Sequence, residues 1–346
     1  MPAHSFARNL FVLVILLWQL STPAIAAEEE KTTYPDFDVG WLLFGDLYYV
    51  ASHHTEEGDG AIGGVIRRGY LTFDADFSER MFGRLRFELN QSGEFETYDY
   101  EVDFKDLYIG WKLGTHKVLL GLSPTPTFDV IEAIWDSRYL ARTPMDMQGE
   151  ASRDNGVASR GHITADGRWR YRAMLGTGVD FGNESDISEK FMGAVSWHPR
   201  PGWTVDFYAD YESLPGPSNR RTLQAFVGFE NERWRWGAQY SNQDREEDAP
   251  LELASAFVKT AVADDIRLIG RIDRLMEPSP KGNNISYIPF DPSAPATMLM
   301  GGIEFQGAEH FIVTPNIIWT TYDQNDQGFT PESDLHIRLT LFLDFE

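Results

Sequence analysis

The chain has 346 residues, with 30 basic against 53 acidic side chains for a net charge of −23, and no cysteine. That balance argues against binding nucleic acid and against general docking on anionic lipid. The lack of cysteine excludes a disulfide framework, thiolate metal ligands and a thiol nucleophile.

Arg8 precedes a compact apolar run, Leu10 to Trp18, followed by Pro23 and the small-x-small triplet Ala24-Ile25-Ala26. A charged start, a short apolar stretch and a small-residue site read as a secretory signal peptide over 1–26, with cleavage expected before Ala27. The run is too short for a membrane-spanning anchor, which needs about 20 apolar residues, and Glu28, Glu29 and Glu30 follow it in place of basic residues. Losing Arg8 takes the 30 basic residues to 29 against 53 acidic, a net charge of −24 for residues 27–346. No second long apolar run occurs there, and mean hydropathy is negative.

From Phe37 onward, segments of about ten residues alternate apolar and polar, the period of a membrane-barrel strand. In chain order the predicted strands are 38–51, 62–77, 80–91, 99–112, 115–122, 155–166, 167–180, 188–198, 201–213, 219–230, 232–243, 252–262, 264–276, 295–307, 309–321 and 334–345. In the seventh, Trp169, Tyr171, Ala173 and Leu175 oppose Arg168, Arg170 and Arg172. In the last, Leu335, Ile337, Leu339, Leu341, Leu343 and Phe345 oppose His336, Arg338, Thr340 and Asp344. Helical winding would scatter those period-2 charges over every face. The connections alternate in length. Tight turns fall at Ser78-Glu79, Leu113-Gly114, Asp166-Gly167, Pro199-Arg200, Asn231, Ala263-Asp264 and Gly307-Ala308, and longer polar loops at 52–61, 92–98, 123–154, 181–187, 214–218, 244–251, 277–294 and 322–333. Short turns at one end and long loops at the other are a barrel property that a soluble sandwich has no reason to share. A propeller would need a blade-length repeat, and none is present. Aromatics near the strand ends (Trp41, Tyr49, Trp111, Trp197, Trp203, Tyr211 and Trp319) suit interfacial girdles. The fold class read from this pattern is all-β, a transmembrane antiparallel β-barrel of about 16 strands.

Ile66-Arg-Arg-Gly-Tyr-Leu71, Gly83-Arg-Leu-Arg-Phe87, Val102 to Trp111, Gly121-Leu-Ser-Pro-Thr-Pro126, Ser137-Arg-Tyr-Leu140 and Asp154-Asn-Gly-Val157 occur in that order. Through them the stretch 62–165, about a third of the chain, resembles the phosphate-selective porin O/P family. The resemblance implies a sixteen-stranded outer-membrane channel of a Gram-negative bacterium, often a homotrimer, with a long third loop folded into the lumen.

Energetics decides which strand face meets lipid, because an arginine at the bilayer midplane costs about 2–4 kcal/mol. Arg84, Arg86, Arg160, His162, Arg168, Arg170 and Arg172 are therefore expected to face inward as a basic strip, with Glu88, Glu101, Asp103 and Lys105 also inward. The strip either sets ion preference or simply pairs with lumen carboxylates. The longest loop, 123–154, carries Val130, Ile131, Ile134 and Trp135 at helical spacing, with Asp129, Glu132 and Asp136 on the other side. It either folds inward to form an acidic side of a constriction or covers the mouth from outside.

No Gly-x-Ser-x-Gly or His-Glu-x-x-His motif occurs, so no catalytic residue, cofactor or metal site is expected and the chain is read as not an enzyme. His53-His54 with Glu56 and Glu57 is read as a solvated pair rather than a metal site. The expected partners are outer-membrane lipid and lipopolysaccharide, ions and small hydrophilic solutes, and further copies of the chain, with no nucleic acid. The alternative to a diffusion channel is a non-channel barrel: an adhesin, a structural anchor or a barrel enzyme.

Overall fold

The computed structural model describes residues 33–345 apart from 92–99, 179–188, 215, 217 and 286. The expected signal peptide and the loops expected at 92–98 and 181–187 lie outside the described residues. Sixteen strands are described: β1 Asp36–Ser52, β2 Ile62–Asp76, β3 Met81–Gln91, β4 Tyr100–Leu113, β5 His116–Pro124, β6 Arg153–His162, β7 Trp169–Gly176, β8 Glu189–Trp197, β9 Trp203–Ser213, β10 Arg220–Glu230, β11 Trp234–Asp244, β12 Leu251–Ala263, β13 Ile266–Leu275, β14 Ala296–Ala308, β15 Phe311–Tyr322 and β16 Asp334–Asp344. Each pairs antiparallel with its chain neighbours and β1 pairs with β16, so the sheet closes into a barrel. Closure matters because an open edge would leave a row of unpaired N–H and C=O groups. Among the described residues no helix is long and apolar enough to cross a membrane.

Alternation sorts the two faces. In β16, Ile337 is 44% exposed while Arg338 beside it is 4% exposed. Across the barrel the exposed large residues are apolar or aromatic, such as Leu175, Phe207, Leu223 and Trp319, and their neighbours in sequence point inward.

Among the register shifts of the described strands, two bulges lie beside charged residues and break the alternation there. Phe44 pairs with Arg68 and Gly45 with Ile66, so Arg67 is the extra residue on β2. Arg86 pairs with Asp106 and Phe87 with Phe104, so Lys105 is the extra residue on β4. A bulge re-aims a side chain, and here both turn two consecutive charged residues inward, Arg67 with Arg68 and Lys105 with Asp106. Gly45 permits the first, since a Cβ there would sit 2.3 Å from the Val65 carbonyl oxygen.

The expected strands 155–166 and 167–180 are corrected to β6 and β7, which leave 163–168 as a turn. Side chains end the ladder there: Thr164 Oγ1 donates to Asp166 Oδ1 at 2.6 Å, and that oxygen accepts the Arg168 N–H at 3.1 Å. Such local bonds compete with strand pairing. Gly167, at φ +68°, supplies the left-handed residue of the turn.

The connection from β5 to β6 contains two short helices, α1 (Asp129–Trp135) and α2 (Pro144–Met147). The spacing noted in the sequence holds, because Ile131, Ile134 and Trp135 are buried. They belong to one hydrophobic cluster with the inward-facing Phe44, Phe226, Phe257, Ile269 and Met298 of the strands. Ile285, Tyr287, Ile288 and Phe290, from the connection between β13 and β14, join the same cluster.

Candidate functional site: a charged cavity beside the β5–β6 segment

A cavity of about 470 Å³ lies against the β5–β6 segment. Arg86, Lys105, Arg153 and Arg160 line it from the strands, and Asp129, Glu132 and Asp136 from the segment.

The strand side is a ladder of cations threaded by two carboxylates. Glu88 is paired with Arg68 and lies 3.1 Å from Lys105. Asp106, fully buried, accepts from Arg153 Nε at 2.5 Å and lies 3.7 Å from Arg86. Arg86 also donates to Thr72 Oγ1 at 2.8 Å. Arg160 donates to the Pro124 carbonyl at 3.2 Å. No carboxylate among the described residues lies within ion-pair distance of it. Four cations therefore share Glu88 and Asp106, and Asp344 of β16 also lines the cavity.

The segment's acids are each held by a cation. Asp129 lies 2.8 Å from Arg172, which also donates to Ser196 at 2.6 Å and to Asp206 at 3.0 Å. Glu132 lies 2.8 Å from Arg138, which reaches Asp146 at 3.0 Å. Asp136 caps α1 in the left-handed region at φ +50° and lies 3.4 Å from Lys259 and 3.5 Å from Arg235. Burial alone would raise the Asp146 carboxyl, but Arg138 and Arg142 outweigh it and hold the group below its ordinary value.

Further contacts tie the segment to the strands. Arg67 pairs with Asp46 at 2.7 Å and donates to the carbonyls of Tyr139 and Leu140. Tyr139 donates to Glu304 at 2.5 Å, Arg271 to the Arg142 carbonyl at 2.7 Å, and Lys190 to Glu150 at 2.9 Å.

The residues of the predicted basic strip separate in space. Arg86 and Arg160 reach the cavity, and Arg172 lies behind it against Asp129. Arg84 makes a two-pronged pair with Asp74 at 2.7 Å, away from the cavity. Arg168 lies in the 163–168 turn with its side chain 63% exposed, 3.4 Å from Asp166. Arg170 donates to the Gly167 carbonyl at 3.2 Å, and His162 pairs with Arg170 across the ladder, so both sit by the same turn. Asp129, Glu132 and Asp136 all reach the cavity. Sequence reasoning missed Arg67, Arg68, Asp106, Arg138 and Arg153. The signal for two of them was present: outward apolar residues switch parity from Ile66 to Leu71 and from Phe104 to Leu107, which requires an extra residue between.

The histidine pair is also corrected. His53 is 7% exposed, and the His54 ring lies 2.9 Å from Asp334 with its side chain 1% exposed. Both are buried at the end of β1 rather than solvated, because Asp334 accepts the His54 N–H at 2.7 Å and Tyr322 donates to the same carboxylate. Burial lowers the His53 pKa despite the nearby Asp334 charge. Donor atoms of His53, His54 and Asp334 lie within 4.8 Å of one another.

Neither a protein-family model nor a curated protein matches the sequence. Solved structures do match. "Outer-membrane expressed OmpT of Vibrio cholerae" aligns at TM-score 0.63 and 12% identity, over 92% of this chain and 100% of that one. The anion-selective porin from Comamonas acidovorans aligns at TM-score 0.64 and 11% identity, over 90% and 100%. Salmonella typhi OmpF, in complex with daunomycin, aligns at TM-score 0.66 and 11% identity, over 89% and 97%. The fold is that of the outer-membrane porins. The finer resemblance to phosphate-selective porins is carried by none of these matches.

The expectation that the chain is not an enzyme is corrected by the same comparison. OmpT shares the architecture at 12% identity, and a fold shared at that distance does not fix activity. The absence of familiar catalytic motifs therefore no longer excludes catalysis.

Proposed function

We propose that the chain is an outer-membrane porin, exported with a cleaved leader over 1–26, that forms a water-filled diffusion channel for ions and small hydrophilic solutes. In this reading the segment 123–154 folds into the lumen and makes the constriction. The observation that carries the proposal is the two-sided cavity, with a cation-rich wall from β2, β3, β4 and β6 facing carboxylates of the segment. A sixteen-stranded barrel encloses an aqueous channel unless it is plugged. Contacts from the segment to inward-facing Arg67, Arg172, Lys259, Arg271 and Glu304 support its place inside.

The charge ledger at the cavity favours anions. Arg86, Lys105, Arg138, Arg153 and Arg160 line the cavity against Asp129, Glu132, Asp136 and Asp344, five cations to four carboxylates. A surplus of fixed positive charge at a narrow point selects anions whatever the net charge of the whole chain. The resemblance over 62–165 puts phosphate among the anions to try. A homotrimer is the assembly expected with this reading, and one neighbouring OmpT structure is described as a trimer form.

Reconstitution in a planar bilayer under a tenfold salt gradient tests the reading. The expected reversal potential has the sign of anion preference. Cation preference would overturn the selectivity, and the absence of any conductance would overturn the channel itself.

A further inference from the structure

The inward row of a barrel that encloses water is ordinarily polar, yet β1 turns Leu42 and Phe44 inward and β16 turns Phe342 inward. Leu42 and Phe44 on β1 and Phe342 on β16 all line the cavity. In β16 Phe342 stands on the face of His336, Arg338 and Thr340, the one apolar residue of that row. It stacks on Tyr139 of the β5–β6 segment, with centroids 4.7 Å apart and planes at 24°. Leu42 and Phe342 are only partly buried and so present carbon surface to the cavity. Phe128, from the segment, adds to this apolar side. The cations Arg86, Lys105, Arg153 and Arg160 line it from β3, β4 and β6 and Arg138 from the segment, and Asp344, paired with Leu42 across β1 and β16, adds a carboxylate.

A fully hydrated inorganic anion gains from the cations but loses water against Leu42 and Phe342 without return. An organic anion with an apolar body gains on both sides, from charge-assisted hydrogen bonds and from carbon surface removed from water. A volume of about 470 Å³ is in the range of small-molecule sites. We propose that the cavity is a transient binding site for small carboxylates with an aromatic or branched apolar body, the carboxylate on the arginine side and the body on Leu42 and Phe342. This rests on the channel reading and adds the class of solute that the channel favours.

The test uses the full chain in a planar bilayer carrying chloride current, with benzoate, acetate and phosphate added in separate titrations. Benzoate is expected to reduce the current at a concentration about tenfold below acetate, a difference worth roughly 1.4 kcal/mol of binding. Phe342→Ser, and separately Leu42→Asn should either variant fail to assemble, should bring the benzoate-to-acetate ratio toward one. Arg160→Gln should weaken block by both carboxylates and leave their ratio in place. Chloride current with equal block by benzoate and acetate, or with phosphate the strongest blocker, would overturn this inference and leave the channel standing. No chloride current at all would overturn the channel reading, and this inference with it.

Discussion

Arg172 shows what single residues do in this barrel. It is buried between Asp129 of the segment and Asp206 of β9, with Ser196 as a third partner. Removing one member of a buried ion network leaves the others charged and unpaired, at a typical cost of about 3–5 kcal/mol. Arg172→Ala is therefore expected to lower the temperature at which the folded barrel unfolds in detergent, more than Arg168→Ala does in its exposed turn. Asp146 gives a pH signature. Arg138 and Arg142 hold its folded pKa below the unfolded value. Its contribution is thus fully present above the ordinary carboxylate range and is lost as pH falls through the lower folded value. Asp146→Asn should destabilise the protein at neutral pH and flatten the acid limb of its stability profile. A mutant whose unfolding temperature follows the wild type at every pH would contradict that.

At the scale of elements, the two bulges and the β5–β6 segment work together. The bulge at Arg67 gives β2 two neighbouring inward arginines, one reaching the segment's carbonyls and the other reaching Glu88. Gly45→Val would drive a side chain into the Val65 carbonyl, so it should impair assembly of the β1–β2 seam, read as loss of the compact band in unheated gels. Deleting 128–140 removes α1 and the acids facing the arginine ladder. On the proposed function it should raise single-channel conductance and weaken ion preference, and unchanged conductance would sink the constriction. The strand pattern and the stripe Ile131, Ile134 and Trp135 were legible in the sequence because period 2 and period 3.6 are local. The bulges were half-legible, as switches of apolar parity. The partners of Arg138 and Arg153 were not legible, because they are set by which strands the closed sheet brings beside the segment.

For the whole molecule, the contrast is between overall charge and local charge. The chain carries −23, yet the wall of the cavity is cation-rich. Exposed charges separated by more than a Debye length, about 8 Å at physiological salt, are largely screened from one another. On the proposed function, the ladder at the cavity is therefore expected to outweigh distant acidic loops in deciding which ions pass. Replacing two of its members, Arg86→Glu with Arg160→Glu, is expected to move the reversal potential toward cations. If the potential stays where it was, selectivity is set elsewhere in the barrel.

The sequence by itself determined the barrel, its strand number and the apolar face each strand turns outward, because the alternation of apolar and polar residues repeats locally with period 2. It also marked the long β5–β6 connection and its apolar stripe. Only the tertiary structure decided which charges meet. Closure of β1 on β16 sets Leu42 and Phe342 beside one cavity, and the bulges on β2 and β4 add Arg67 and Asp106 to the interior. Those juxtapositions depend on register between strands, and register between distant segments leaves no periodic trace in a single sequence.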